Sequence, residues 1–205
     1  MLIPFDFILK KYALNITGIL HVGAHDCEEI GPYEEVIGRD KILWVDALHD
    51  KVESCKERIP NVIIKEAIVS DVEEPVMFHR ANNGQSSSIL EMGLHTHYHP
   101  GIDYVESIPG NTQLLKNIIC KYDIPYNFIN LDIQGAELKA LKGMAEYLPS
   151  IDYIYSEVNA DYVYKDCALI TELDDYLATF GFVRVETEWS HAQWGDAFYI
   201  KPLKN

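Results

Sequence analysis

The sequence predicts a doubly wound α/β domain, in which helices cover both faces of a mostly parallel β-sheet. Short apolar runs rich in β-branched and aromatic residues lie at 18–22, 42–45, 62–67, 127–131 and 153–156. Longer segments of helical period separate these runs, and this alternation is typical of βαβ units. A chain of 205 residues has the size of one ordinary domain, so we expect a single domain over 1–205.

Several helices and a terminal hairpin have recognisable signals. Pro32 fits a first helical turn, residues 138–144 have a helical pattern, and Gly181 ends another helical segment. Residues 183–188 then alternate apolar and charged side chains, and a further apolar run covers 197–200. These two runs predict a β-hairpin that closes the sheet.

Two segments lie outside the alternation. Residues 1–15 are amphipathic and predict an N-terminal helix rather than a signal peptide. Residues 80–109 are polar and rich in Asn, Ser and His, and we expect them to form an irregular loop near the active site. Long loops in small domains are usually functional or mobile.

Composition narrows the classes of function. The chain has 32 acidic and 17 basic side chains, a formal net charge of -15, which disfavours nucleic acids and anionic membranes as partners. No apolar stretch reaches the roughly 18 residues of a membrane span. The four cysteines lack zinc or redox spacing and are expected to be free thiols. We therefore expect a soluble cytoplasmic protein.

The turn after the first strand contains candidate binding residues, because open parallel sheets bind ligands at the carboxyl ends of their strands. It has a single glycine, Gly23, where a dinucleotide site requires GxGxxG. Its acidic residues would repel phosphates but suit S-adenosylmethionine, which carries a sulfonium and an ammonium. We predict Gly23, Ala24, His25 and Glu29 as cofactor residues. The alternative is a plain strand-to-helix turn with solvated acids.

Asp46 ends the second predicted strand, about twenty residues after Gly23. Rossmann-like folds have a carboxylate at this position that accepts hydrogen bonds from ribose hydroxyls. Asp46 is therefore the strongest single candidate for a cofactor residue. An aspartate at the end of a strand can instead be a turn former or a helix cap.

Six segments together resemble the FkbM family of class I methyltransferases. They lie around Gly23 and Asp46 and at 67–71, 85–90, 131–143 and 195–200. The most specific element is Asn-Leu-Asp-Ile-Gln-Gly-Ala-Glu at 130–137, followed by Leu-Lys-Gly at 141–143.

The resemblance implies a Rossmann-like seven-stranded sheet with an antiparallel last strand. It also implies S-adenosylmethionine as the methyl donor, with Ala67 among the cofactor contacts, and methylation of a hydroxyl on a sugar or natural product. The sequence departs from the usual pattern in the first turn, where His21 replaces the common acidic residue and Cys27 replaces a second glycine.

Two carboxylates are expected at the cofactor edge of the sheet. Asp132 follows the fourth strand and Glu157 follows the fifth. A sugar hydroxyl is a poor nucleophile, and a general base accelerates its reaction by roughly 10²–10⁴-fold. We predict Asp132 as the base and as a cofactor contact, with Glu157 as its partner. Alternatively, both carboxylates hold Mg²⁺ or Mn²⁺.

Histidines provide further candidates. His191 lies in the predicted hairpin connection and is a second candidate base, because imidazole titrates near neutrality. His95, His97 and His99 alternate, which is compatible with a zinc site but is more typical of a surface or acceptor-lining loop. The polar side chains at 83–88 are candidates for hydrogen bonds to the cofactor or the acceptor.

Together these observations predict an S-adenosylmethionine-dependent O-methyltransferase that acts on a hydroxyl of a sugar or glycan. The acceptor is expected to be a small molecule or a glycan, not a nucleic acid. A non-catalytic Rossmann-like binding or scaffold domain and a nucleotide-dependent Rossmann enzyme are the alternatives. The sequence leaves open the acceptor, the hydroxyl position, metal dependence, the oligomeric state and membership of a larger protein.

Overall fold

The computed structural model describes residues 1–202. The strands are β1 (Ile19–Val22), β2 (Ile42–Asp46), β3 (Ile63–Glu66), β4 (Ile68–Val69), β5 (Pro75–Ala81), β6 (Tyr104–Gln113), β7 (Phe128–Leu131), β8 (Tyr153–Asn159), β9 (Val183–Trp189) and β10 (Trp194–Ile200). The α-helices are α1 (Phe5–Lys11), α2 (Ile30–Glu34), α3 (His49–Arg58), α4 (His95–Tyr98), α5 (Leu115–Ile119), α6 (Glu137–Lys142) and α7 (Ile170–Ala178). Two 3-10 helices cover Arg39–Lys41 and Ala145–Ser150.

Seven strands form the central sheet in the order β3-β2-β1-β7-β8-β10-β9. The pairings of β1 with β2 and β7, of β2 with β3, and of β7 with β8 are all parallel. Strand β10 is antiparallel to both of its neighbours, β8 and β9. This arrangement confirms the predicted doubly wound sheet and its antiparallel last strand. Strands β2 and β3 lie on one side of β1, and the later strands, beginning with β7, lie on its other side. The switch point of the sheet is therefore between β1 and β7.

Helices cover both faces of this sheet. Leu20 and Val22 of β1 face the core that α5, α6 and α7 complete, whereas Ile19 faces the core that α1, α2 and α3 complete. All four residues of β1 are buried, as expected for a strand covered on both faces. Phe128 is fully buried in the second core, and burial of such a side chain contributes roughly 1.5–3 kcal/mol. No helix among residues 1–202 is long and apolar enough to cross a membrane.

A second, three-stranded sheet corrects the prediction of an irregular loop over 80–109. Its order is β4-β6-β5, and β5 pairs antiparallel with β6 from Pro75 opposite Asn111 to Ala81 opposite Tyr104. Both ends of the predicted loop are therefore strand, and the connection is 82–103, which includes α4. Strand β6 escaped prediction because half of its residues are solvent-exposed and because it contains Pro109 and Gly110 in place of an apolar run.

The turns after β1 and β7 are in close contact. The backbone N–H of Asp132 donates to the carbonyl of Val22 at 2.9 Å. Gly23 has φ +93°, and a Cβ at this position would lie 1.8 Å from the carbonyl oxygen of Asp132. The backbone N–H groups of Gly23 and Ala24 both donate to the carbonyl of Val45. Only glycine permits this approach, because it lacks a Cβ and adopts positive φ freely.

Glu137 supports the turn after β7. It is the first residue of α6, only 4% exposed, and its Oε1 accepts hydrogen bonds from the backbone N–H groups of Ile133 at 2.9 Å and Gly135 at 3.1 Å. Burial raises the pKa of Glu137 to about 7, and the nearby Asp132 adds to this effect. The charged form of Glu137 is therefore disfavoured in the folded protein.

We expect Gly23→Ala to lower the free energy of unfolding by about 2–3 kcal/mol, because the new Cβ would overlap the backbone of Asp132. Urea denaturation measures this change. Gly31→Ala is the matched control, since nothing lies within 4 Å of the place that its new methyl group would occupy and Ala favours helix. Equal stability of the two variants would contradict the proposed close contact.

We expect Glu137→Gln to make the stability less dependent on pH. The amide oxygen can accept both backbone hydrogen bonds, whereas the carboxyl group must ionise in a buried position. Because the folded pKa of Glu137 is raised from 4.5 to about 7, its stabilising contribution is present below the lower value and is lost as pH rises through the higher one. Relative to the variant, the native protein should lose roughly 1–3 kcal/mol over this range.

Urea denaturation at a series of pH values measures the difference. Glu57→Gln is the control, because Glu57 is exposed on α3 and the substitution removes the same formal charge. A pH profile of Glu137→Gln identical to that of the native protein would contradict the role of this carboxyl group.

Candidate functional site

A cavity of about 530 Å³ opens at the carboxyl ends of β1, β2, β7 and β8. This volume is in the usual range for a small-molecule site. The walls include the turns after β1 and β7, the segment after β5 and the beginning of β10. The cavity therefore lies at the switch point of the sheet.

Asp46 forms part of the cavity wall at the end of β2. Its Oδ2 accepts a hydrogen bond from the backbone N–H of His25 at 2.7 Å, and its Oδ1 accepts one from Leu48 at 2.8 Å. Burial raises the pKa of Asp46 above its ordinary value. The two backbone donors fix the orientation of the carboxylate, which keeps lone pairs for a ligand.

His25 and two acidic residues form a cluster in the first turn. His25 Nδ1 lies 2.8 Å from Glu28 Oε1 and 3.3 Å from Asp26 Oδ2. Within residues 1–202, these three side chains are the group with metal-ligand atoms inside 4.8 Å of one another. Lys51 and Arg58 also pair with Asp26. Basic side chains of the protein therefore already balance part of this acidic charge.

The other predicted cofactor residues divide into two groups. Glu29 and Ala67 line the cavity, as do Gly23 and His25. Ala24 does not line it: its side chain is 1% exposed and packs in the core beside α2 and α3. Ala24 was predicted from its position beside the glycine, but the conformation of the turn directs it into the protein interior.

Asp132 and Glu157 come together in the cavity, as predicted. Gln134 joins them, because its Nε2 donates to Asp132 Oδ1 and to Glu157 Oε2, the latter at 2.9 Å. The Oε1 of Gln134 accepts a hydrogen bond from Tyr164 at 2.6 Å. Gln134 has φ +57°. No role was predicted for Gln134, although it lies within the most specific motif of the sequence.

A third carboxylate, Asp196, also lines this part of the cavity. It lies on β10 directly opposite Glu157 on β8. The hydroxyl of Tyr155 and the backbone N–H of Leu2 both donate to Asp196 Oδ2. Asp196 was missed, although an acidic residue near the start of a buried apolar strand was a usable signal. Because β10 is antiparallel, its start lies at the cofactor edge.

The charges of these three carboxylates are coupled. Asp132 is exposed to the water of the cavity, but protein surrounds it on its other sides. This partial desolvation and the negative charge of Asp196 raise the pKa of Asp132 to about 6. Burial and then the charge of Asp132 raise the pKa of Glu157 well above its ordinary value. Burial also raises the pKa of Asp196. Raised carboxyl pKa values at a cleft are typical of functional sites.

Two buried histidines in the cavity wall are uncharged near neutrality. His21 stacks on Trp44 with ring centroids 4.5 Å apart, and burial lowers its pKa to about 3. His95 is 4% exposed, and burial and the neighbouring His99 lower its pKa to about 4. The Nε2 of His95 lies 3.2 Å from Ser86 Oγ, whereas its Nδ1 is buried without a partner.

The predicted base His191 lies outside the cavity wall. It is exposed, and its ring centroid is 6.2 Å from that of His99, which lines the cavity. The hairpin connection does lie at the cofactor edge, but the nearest cavity-lining residue is Trp194, the first residue of β10. The segment after β5 contributes the predicted polar side chains at 83 and 85–87.

Comparison with known proteins identifies the family. The sequence matches the family described as methyltransferase FkbM domain over residues 21–184. No curated protein matches the sequence. The matched region runs from the second half of β1 to the start of β9 and therefore contains most of the cavity wall.

Several solved methyltransferases have a similar fold. Magnesium protoporphyrin IX methyltransferase from Synechocystis PCC 6803, with bound S-adenosylmethionine, has a TM-score of 0.51 at 8% identity, over 96% of this chain and 76% of that chain. TrmK from M. capricolum, with bound S-adenosylhomocysteine, has a TM-score of 0.52 at 10% identity, over 100% and 70% of the two chains. A methyltransferase from Aquifex aeolicus has a TM-score of 0.50 at 12% identity, over 96% and 89%.

At these identities, the similarity to solved structures establishes the fold alone. The family match covers most of the chain, including both turns that build the cavity. The protein belongs to the FkbM family of S-adenosylmethionine-dependent class I methyltransferases.

Proposed function

We propose that the protein transfers a methyl group to a hydroxyl oxygen of a small-molecule or glycan acceptor, with Asp132 as the base and Glu157 as its partner. The observation that carries this proposal is the meeting of the two carboxylates in the cavity, joined by Gln134. A cavity suits a small acceptor or the end of a glycan better than a duplex, since nucleic-acid binding depends on basic side chains.

The residues of the first two turns fit the cofactor. Gly23 lines the cavity, and its lack of a side chain lets the turn after β1 pack against the backbone of Asp132. Asp46 would accept hydrogen bonds from the ribose hydroxyls, while Glu29 lines the cavity as a partner for the ammonium group. When bound, S-adenosylmethionine supplies an electrophilic methyl group for in-line displacement. The protein contributes alignment and removal of the acceptor proton.

Asp132 fits the role of general base in its ionised form. A base is most effective when its pKa lies near the working pH, and that of Asp132 is raised to about 6. Gln134 holds the carboxylate with a neutral donor, which leaves it able to accept a proton from the acceptor hydroxyl. Glu157 accepts a hydrogen bond from the same Gln134 amide, so the affinity for a proton is a property of Asp132 and Glu157 together.

A divalent cation held by Asp132 and Glu157 is the second candidate mechanism, because Mg²⁺ and Mn²⁺ prefer carboxylate oxygens. The arrangement fits a metal poorly. The Gln134 amide nitrogen, a donor that cannot ligate, already contacts both carboxylates. We therefore favour the base mechanism, in which no step requires a metal.

We expect S-adenosylhomocysteine to bind in calorimetric titration, and Asp46→Asn to weaken that binding by about tenfold to a hundredfold, because one or two charge-assisted hydrogen bonds to the ribose are lost. NAD should not bind. Asp123→Asn is the control, since Asp123 is exposed and does not line the cavity. Binding of NAD with no binding of S-adenosylhomocysteine would favour a nucleotide-dependent enzyme.

We expect Asp132→Asn to lower kcat by roughly 10²–10⁴-fold while S-adenosylhomocysteine affinity stays within a few-fold, because the amide cannot take the acceptor proton. Release of S-adenosylhomocysteine during methylation of a sugar or glycan panel measures turnover. Asp123→Asn should retain full activity. Loss of cofactor affinity in Asp132→Asn would assign Asp132 to the cofactor instead of the chemistry.

Chelation separates the two mechanisms. Activity that survives a chelator supports the base mechanism, whereas activity that is lost and then restored by Mg²⁺ or Mn²⁺ supports the metal. Tight cofactor binding without methylation of any hydroxyl acceptor would favour a binding or scaffold domain.

A further inference from the structure

The cavity wall is rich in carboxylates, and among the described residues its basic side chains are histidines alone. Six acidic side chains line the cavity: Glu28, Glu29, Asp46, Asp132, Glu157 and Asp196. No lysine or arginine among residues 1–202 does so. In the first turn, His25 pairs with Glu28, and the amino group of Met1 lies 3.8 Å from Glu29. The charges of that turn are therefore partly balanced within the protein.

Glu157 and Asp196 have no such ion pair within the described part of the chain. They lie directly opposite each other on adjacent antiparallel strands, and both line the cavity. Like charges in this position destabilise a sheet. Their hydrogen-bond donors are the amide of Gln134, the hydroxyl of Tyr155 and a backbone N–H, all of them neutral. The amino group of Met1 favours the charged form of Asp196, but no lysine or arginine of the described chain lines the cavity beside the pair. A bound cation would favour the charged form of Glu157, whose pKa burial raises.

A second observation on the same side of the cavity also indicates a ligand. His95 Nδ1 is buried and without a partner, in a side chain that is 4% exposed and lines the cavity. Buried polar atoms nearly always have a hydrogen-bond partner. The His95 ring lies 5.4 Å from that of Tyr164, whose hydroxyl donates to Gln134. Since burial holds the pKa of His95 low, the ring adds no positive charge.

We propose that the acceptor is a hydroxylated amine, such as an amino sugar or amino alcohol. Its ammonium group binds between Glu157 and Asp196, and the neighbouring hydroxyl faces Asp132. A further polar group of the acceptor hydrogen-bonds to Nδ1 of His95. Acceptors with a phosphate, sulfate or carboxylate in this position are rejected by the acidic wall. This inference rests on the proposed methylation of a hydroxyl and names its substrate class.

Three probes of similar size test the charge preference on protein loaded with S-adenosylhomocysteine. Ethanolamine has an ammonium and a hydroxyl, ethylene glycol is neutral, and glycolate has a carboxylate and a hydroxyl. Titration followed by NMR chemical shifts measures their affinities. We expect ethanolamine to bind at least about tenfold more tightly than ethylene glycol, and glycolate to bind more weakly than either.

Variants that remove one negative charge test which residues cause the preference for ethanolamine. Glu157→Gln and Asp196→Asn should each abolish most of the preference for ethanolamine. Glu188→Gln should retain it, although it removes the same formal charge. Glu188 lies opposite Asp196 on β9 but is exposed and outside the cavity wall. Thermal unfolding and S-adenosylhomocysteine affinity show that each variant is folded.

Three results would overturn the inference. They are equal or tighter binding of glycolate or ethylene glycol, a preference for ethanolamine that survives in Asp196→Asn, and Mg²⁺ binding at Glu157 and Asp196 that ethanolamine does not displace. Normal S-adenosylhomocysteine binding with any of these results contradicts the amine acceptor alone. Failure of S-adenosylhomocysteine to bind the native protein contradicts the proposed function itself.

Discussion

The contact between the turns after β1 and β7 is the constraint on which the cavity depends. The carbonyl of Asp132 lies where a side chain at position 23 would begin, and the N–H of Asp132 bonds the last residue of β1. This contact fixes the separation of the two central strands at their carboxyl ends. Asp46 and Glu157, on the outer neighbours of these strands, then reach the same cavity from opposite sides.

Charge burial is the cost of this arrangement. Glu137, Glu157 and Asp196 are buried and, like the more open Asp132, have raised pKa values, so ionisation of the three buried carboxyl groups works against folding. The surrounding sheet offsets this cost with continuous apolar strands on two faces. Glu137 differs from the other three, since its hydrogen bonds go to the backbone of its own turn. These hydrogen bonds hold the backbone on both sides of Gln134.

The alternation of apolar runs and helical segments was sufficient to predict the parallel strands of the central sheet, because buried parallel strands leave a strong sequence signal. The number of seven strands was implied by the family resemblance. Strand β6 left no such signal, since solvent covers much of it. Positions at strand ends, such as Asp46 and Asp132, followed from topology. Predicting Asp196 as a cavity residue required the direction of β10 as well as its existence. The lack of a partner for His95 Nδ1 depends on three-dimensional packing. Side-chain direction within a turn, as at Ala24, is not encoded in spacing.

The three-stranded sheet holds a part of the cavity wall that does not belong to the central sheet. Strands β5 and β6 fix both ends of 82–103, and this connection supplies several residues to the cavity, including Ser86, His95 and His99. None of the seven central strands lies within it. Substitutions or length changes in this connection can therefore reshape the mouth of the cavity without moving Gly23 or Asp46. On the proposed function, acceptor choice can then change through this connection while the turns after β1 and β2 keep their sequence.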